Sequence, residues 1–242
     1  MFFGFTFVAS LLGLFLSGII PWRWVFLIPA ISGFILWLVM YFYLPSFKED
    51  VSEFKFNYLK VFNNKSLVKI VVYIFIISLI YHAIQQWLGV YFSTKLGLAQ
   101  FTISMLITLT ALSGIIGEFW GGLLTDSLGR IRVVNFGIIL MVLSIFSLIL
   151  RLPLFVLVPI MIIWGLGWTF NHVGLATMLT DLPKEFINEA ASLNSGVRFI
   201  SGGVGMGLGG LIMSKSFNLG FIVFGSALLL LLIYGRFINI EK

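Results

Sequence analysis

Three polar residues inside one long apolar stretch are the first candidates for chemistry. His82, Gln85 and Gln86 are spaced i, i+3 and i+4, so on a helix they share one face. The imidazole and the two carboxamides can donate and accept hydrogen bonds. Polar groups are costly inside a bilayer, so this stripe is expected to face a cavity or a partner helix. A second polar pair, Asn171 and His172, lies in another apolar stretch.

Two charged residues also fall within apolar stretches, where an ionised group costs about 2.5–3.5 kcal/mol. Glu118 is either part of a charge network that could carry coupled protons or a structural partner of Arg130 or Arg132. Arg198 lies about nine residues into its stretch and is long enough to reach the headgroups. Its alternative roles are to bind an anionic substrate or a gating carboxylate.

The composition excludes several classes of site. None of the nine Asp and Glu residues forms a spaced pair within an apolar stretch, so an intramembrane enzyme is not predicted. The absence of Cys removes any thiolate metal site, and no Walker motif for ATP is present. The fifteen Lys and Arg residues are spread along the chain, which disfavours nucleic-acid binding. No cofactor, metal site or catalytic residue is predicted.

The elements that must position these residues are membrane spans. The 242 residues are 60% hydrophobic and 10% charged, with a mean hydropathy of +1.11, whereas soluble domains are about 45–50% apolar and about 25% charged. A spanning helix needs about 20 apolar residues. We therefore predict an all-α, polytopic transmembrane bundle of about eight spans. They are Phe2–Ile20, Trp24–Leu44, Leu67–Phe92, Phe101–Leu124, Val133–Leu150, Pro153–Leu179, Ala190–Met213 and Phe217–Phe237.

The distribution of positive charge predicts the orientation of the spans. Ten of the fifteen Lys and Arg residues fall in loops on one side and four on the other, with Arg198 inside a span. The positive-inside rule then places both termini and the polar linker Pro45–Ser66 in the cytoplasm, with the chain in the cell membrane. Glycines at residues 201–210 form two small-xxx-small faces, Gly203/Gly207 and Gly205/Gly209, which favour close helix packing over a hinge.

The segment between the fourth and fifth spans runs from Gly121 to Arg132 and resembles the signature loop of the major facilitator superfamily. Four positions match that pattern: Gly122, Asp126, Gly129 and Arg130. Two depart from it, Ser127 and Ile131, and Arg132 supplies the second cation one position late. Physically, glycine permits a positive φ in a tight turn, and arginine can bind carboxylates or lipid phosphates.

Two more stretches agree with this resemblance. Residues 22–26 look like the outer turn before the sixth helix of the family, and residues 182–205 are similar to its tenth-to-eleventh helix region. The eight spans then correspond to helices five to twelve of a twelve-helix member. This implies that residues 1–44 are the last two helices of the N-terminal half, 45–66 a cytoplasmic linker and 67–242 the six-helix C-terminal half.

The resemblance implies a secondary transporter that moves a small solute, such as a drug or metabolite, by alternating access within a lipid bilayer, with proton coupling as an option. It would place the polar stripe at residues 82–86 and the pair at 171–172 on cavity-lining helices. Hydrogen bonding between helices is the alternative for both clusters. Helices one to four would be missing, which suggests a truncated chain or a fragment without independent transport.

Overall fold

The computed structural model describes residues 21–44, 63–183 and 186–235, and it holds seven helices there that are long and apolar enough to span a membrane. No strand occurs within these ranges. The predicted all-helical, polytopic fold is confirmed, and the expected first span, Phe2–Ile20, lies outside the described residues. In chain order the helices are α1 (Trp22–Tyr43), α2 (Lys65–Thr94), α3 (Gln100–Leu128), α4 (Arg130–Leu148), α5 (Leu154–Thr180), α6 (Ile187–Met213) and α7 (Phe217–Gly235).

Local chemistry sets helix ends that hydropathy alone places differently. The Asn64 side chain caps α2, because its Oδ1 accepts hydrogen bonds from the backbone N–H groups of Ser66 and Leu67, both at 3.1 Å. The last two residues of the predicted linker therefore belong to α2. At the other boundary, α3 continues through Asp126, and the turn before α4 is confined to Gly129, whose φ is +90°.

The helices α2 to α7 pack around one continuous apolar core. The most extensive contacts join α2 to α6, α4 to α5 and α3 to α5, while α7 lies against α4 and α2. The core includes fully buried aliphatic and aromatic side chains from several helices, among them Ile74, Ile77, Ile138 and Phe221. Tight packing of this kind fixes which helix faces can reach a shared cavity.

The contact between α2 and α6 is made through glycine. A Cβ built at Gly205 would lie 3.0 Å from Leu79 Cα and closer still to its carbonyl oxygen, and Gly209 approaches the backbone of Ala83 in the same way. The predicted packing face Gly205/Gly209 is therefore confirmed. A Cβ at Gly203 or Gly207 would meet no described atom within 4 Å, so that face makes no such contact within the described ranges.

The outward surface of the bundle is strongly apolar. Large side chains such as Phe119, Phe155 and Leu230 are exposed, and no residue of the apolar window of α1 is buried. A soluble protein rarely exposes contiguous apolar surface on this scale. These faces have the character expected of helices that contact lipid.

Candidate functional site

A cavity of about 360 Å³ lies between α2, α5 and α6. Helix α2 contributes His82 and α5 contributes Trp168. The rest of the lining comes from α6, at positions that follow one helical face. These α6 residues are Ser195, Arg198, Phe199, Gly202, Gly203 and Met206.

The cavity lies near the middle of these long helices. At 1.5 Å per residue, His82 is about 26 Å from the start of α2, a helix of 30 residues and about 45 Å. Arg198 is about 17 Å from the start of α6, which has 27 residues and is about 40 Å long. Both side chains therefore lie more than about 15 Å from the start of their helices, which in a spanning helix corresponds to the hydrocarbon core.

Arg198 is held on the cavity wall by neutral groups. Its Nε donates to Asn194 Oδ1 at 2.9 Å, and one terminal nitrogen donates to Ser78 Oγ at 3.3 Å. The guanidinium carbon lies 5.6 Å from the centre of the Trp168 ring, within the range of a cation–π contact. The Arg198 side chain is thus fixed across α2, α5 and α6 and does not extend to the end of its helix.

Aromatic rings form the back of the cavity. Tyr81 and Trp168 stack with their centroids 3.9 Å apart and 9° between planes, and Trp164 continues the stack on Tyr81 at 5.3 Å. His82 meets Tyr81 edge-on at 5.2 Å. The Trp164 Nε1 donates to Gln85 Oε1 at 2.7 Å. These contacts fix the orientation of α5 against α2 and hold the Trp168 ring in place.

Polar residues that were predicted to act together lie in different surroundings in the structure. Of the α2 stripe, His82 lines the cavity, Gln85 bonds to Trp164, and Gln86 is exposed outside the lining. Asn171 is fully buried beside Gly137 of α4. His172 is partly buried, with its ring 6.0 Å from that of Trp168.

Sequence reasoning missed several residues that form this site. Ser78, Asn194 and Ser195 are small polar residues that no motif distinguishes, and Met206 and Phe199 read as ordinary apolar positions. Counting helical steps from Arg198 would have found the α6 members, because they recur at three- and four-residue intervals. Glu118 is partly buried on α3 and is not part of the lining.

A comparison with protein families matches most of the chain. The family described as the Major Facilitator Superfamily matches residues 1–206. The chain belongs to the major facilitator superfamily. Its members are membrane transporters, and the seven apolar helices of the described ranges agree with that role. No curated protein gives a significant match to the chain.

The segment from Gly121 to Arg132 connects two helices at one end of the bundle. Arg130 forms an ion pair with Asp181, at the end of α5, and donates to the Thr177 carbonyl at 2.5 Å. A cation at a helix C-terminus is favoured by the unpaired carbonyls and by the helix dipole. Asp126 and Arg132 are exposed at the same end.

The opposite end of the bundle gathers the other loops. Lys95, Arg151 and Lys215 come from three different connections, and they line one small pocket beside the start of α7. The connections after α2, α4 and α6 therefore meet at one end of the bundle.

Removing the Arg130 contact is expected to weaken the bundle modestly. The Arg130→Ala variant loses the ion pair and the bond to Thr177, but both charged side chains are partly exposed, with relative accessibilities of 30% and 46%. We expect a loss of about 1 kcal/mol, or about 2–4 °C in melting temperature. Thermal unfolding of the detergent-purified chain measures this shift.

The matched control is Arg132→Ala, whose contact is a long 3.5 Å bond to Leu128 within the same turn. It should change the melting temperature by less than about 1 °C. Adding Asp181→Asn to Arg130→Ala should cost little more than either change alone, because the two residues share one interaction. Equal losses of melting temperature in Arg130→Ala and Arg132→Ala would contradict a stabilising role for the Arg130 contacts.

Proposed function

We propose that this chain is a secondary transporter that carries a small solute, such as a drug or metabolite, through the cavity between α2, α5 and α6. The solute would enter from one side, and the helices would rearrange around it to open the other side. The residues proposed to contact the solute are His82, Arg198 and Trp168. Gln85 and His172 would lie behind these residues and would not contact the solute.

The observation that supports this proposal is the placement of polar groups at mid-depth. Within an otherwise apolar bundle, an imidazole and a guanidinium from two helices face one cavity of about 360 Å³. Polar residues at this depth are costly and generally serve a binding or transport role. A volume of this size is within the usual range for small-molecule sites.

We also propose an organisation for the whole chain. Residues 67–242 would act as the six-helix C-terminal half, 45–66 as the cytoplasmic linker, and 1–44 as the last two helices of the other half. The continuous core of α2–α7 and the absence of buried residues from the apolar window of α1 support this division. The excess of Lys and Arg in the loops on one side supports a chain that spans the cell membrane with both termini in the cytoplasm.

Replacing His82 is expected to reduce solute movement while the protein still inserts and folds. The His82→Ala change removes a ring that lines the cavity and packs edge-on against Tyr81. A loss of about 1.4 kcal/mol in solute contact corresponds to about tenfold in rate or affinity. The measurement is uptake of a panel of radiolabelled drugs and metabolites into proteoliposomes that contain the purified chain.

The control for this test is Val72→Ala, on an exposed face of α2 and away from the cavity. It should transport at the original rate. Equal transport by His82→Ala and the unmodified chain would remove His82 from the solute path. An imposed proton gradient with and without an uncoupler then separates coupled transport, which the uncoupler abolishes, from facilitated diffusion, which it leaves unchanged.

A further inference from the structure

We infer that the cavity selects a monoanionic solute, one carboxylate attached to an apolar body about the size of a single ring. This inference rests on the proposed function, because it names the class of solute that the same cavity would carry. It comes from the bonding of Arg198 and from the composition of the wall around it.

The first step is the bonding of the Arg198 guanidinium. Its two hydrogen bonds go to Asn194 and Ser78, which are neutral, and its other contact is the face of Trp168. The second terminal nitrogen is buried and has no hydrogen-bond partner among the described residues. A guanidinium has five N–H groups in a planar fork, so several donors remain for another group.

The second step is the charge balance of the cavity. None of the described residues that line the cavity carries a carboxylate. Of the four acidic residues in the described part of the chain, Asp181 is paired with Arg130, Asp126 is exposed at the end of α3, and Glu118 and Glu189 lie outside the lining. No described side chain on the wall therefore neutralises the positive charge of Arg198. A bound anion would supply the missing charge and accept the remaining N–H donors together.

The third step is the shape of the wall. Beyond Arg198, the lining is formed by the Trp168, Phe199 and Met206 side chains and by Gly202 and Gly203. Aromatic and thioether groups favour an apolar body, and the two glycines leave a flat surface beside it. Strongly hydrated ions such as inorganic phosphate would lose their water here without gaining matching polar contacts.

The geometry therefore separates the two parts of the solute. Its carboxylate would accept hydrogen bonds from Arg198, with His82 across the cavity as a further polar contact. Its apolar ring would lie against Trp168 and Phe199. Charge selection and shape selection then depend on different residues, which makes the inference testable with pairs of probes that differ only in charge.

The probes are benzoate and benzamide, which have nearly the same shape but differ in charge, and inorganic phosphate, which has charge but no apolar body. Isothermal titration calorimetry of the detergent-purified chain gives the affinity for each probe. We expect benzoate to bind at least about tenfold more tightly than benzamide, and phosphate to show no binding. Equal affinities for benzoate and benzamide, or no benzoate binding in the millimolar range, would overturn the inference.

Variants of Arg198 assign the preference to that residue. Arg198→Gln should bind benzamide as before but lose the preference for benzoate, while Arg198→Lys should keep part of it because the charge remains. Lys215→Gln removes an exposed positive charge outside the cavity and should leave both affinities unchanged. Retained benzamide binding shows that a variant is folded. A preference for benzoate that survives in Arg198→Gln would contradict the inference.

Flux measurements separate this inference from the proposed function. If benzoate and benzamide both cross proteoliposomes at the same His82-dependent rate, the transporter proposal stands and the charge selection is wrong. If no probe or panel solute crosses the proteoliposomes faster than it crosses liposomes without the chain, the transport proposal fails. Benzoate binding that depends on Arg198 would then still show an anion-selective site.

Discussion

A valine in place of Gly205 is expected to lower the melting temperature of the chain by about 10 °C. The added Cβ would overlap the backbone of Leu79, with its Cα at 3.0 Å and its carbonyl oxygen nearer. Backbone atoms cannot rotate away as a side chain can, so α2 and α6 would have to separate. We estimate a cost of about 3 kcal/mol, at the upper end for overpacking.

The matched control is Gly207→Val, on the same helix and two residues away. A Cβ at Gly207 meets nothing within 4 Å, and this position is exposed. Replacing a helical glycine generally stabilises a helix by several tenths of a kcal/mol, so no loss is expected. Differential scanning fluorimetry of the two purified variants compares them directly. Similar melting temperatures would show that the α2–α6 contact is not the close backbone approach described above.

The second large effect is expected from Trp168→Ala. Trp168 is 3% exposed, stacks on Tyr81 and lies beneath Arg198, so its removal leaves a void behind the cavity. Truncation of a buried tryptophan costs about 3–5 kcal/mol, which corresponds to a drop of about 6–20 °C in melting temperature. Benzamide affinity should also fall by about tenfold, because the apolar body loses the ring it rests on.

Two variants separate ring stacking from the mere loss of a tryptophan. Trp120→Ala makes the same change at a position that is 54% exposed on the outer surface of α3, and it should cost less than about 1 kcal/mol. Trp168→Phe keeps a ring against Tyr81 and should recover most of the stability. Equal losses from Trp168→Ala and Trp120→Ala would argue against the stack as a structural element.

Hydropathy alone was sufficient to place seven of the expected spans, because each described helix carries a long apolar run. The ends differ by a few residues where a local interaction competes with hydropathy. Because Asn64 caps α2, this helix includes Lys65 and Ser66. The helix α3 continues past Asp126 and ends at Gly129, which has a positive φ. The first hydrophobic stretch and the linker to residue 62 lie outside the described residues.

The candidate site was harder to predict from the sequence, because neighbouring positions on one helix face can contact different partners. His82 and Gln85 lie only three residues apart, yet one reaches the cavity beside α6 and the other bonds to Trp164 of α5. Asn171 and His172 are adjacent, so their side chains leave the helix about 100° apart, and Asn171 is directed into the core. Only the packing of the helices decides between these outcomes.

The Tyr81–Trp168 stack gives the chain an optical signal of its own conformation. Two aromatic rings held 3.9 Å apart and nearly parallel couple their electronic transitions, and a fixed asymmetric pair produces circular dichroism in the near ultraviolet. One ring belongs to α2 and the other to α5, so any movement that parts these helices would weaken the band. The opening of the cavity wall can therefore be followed in real time without attaching a label.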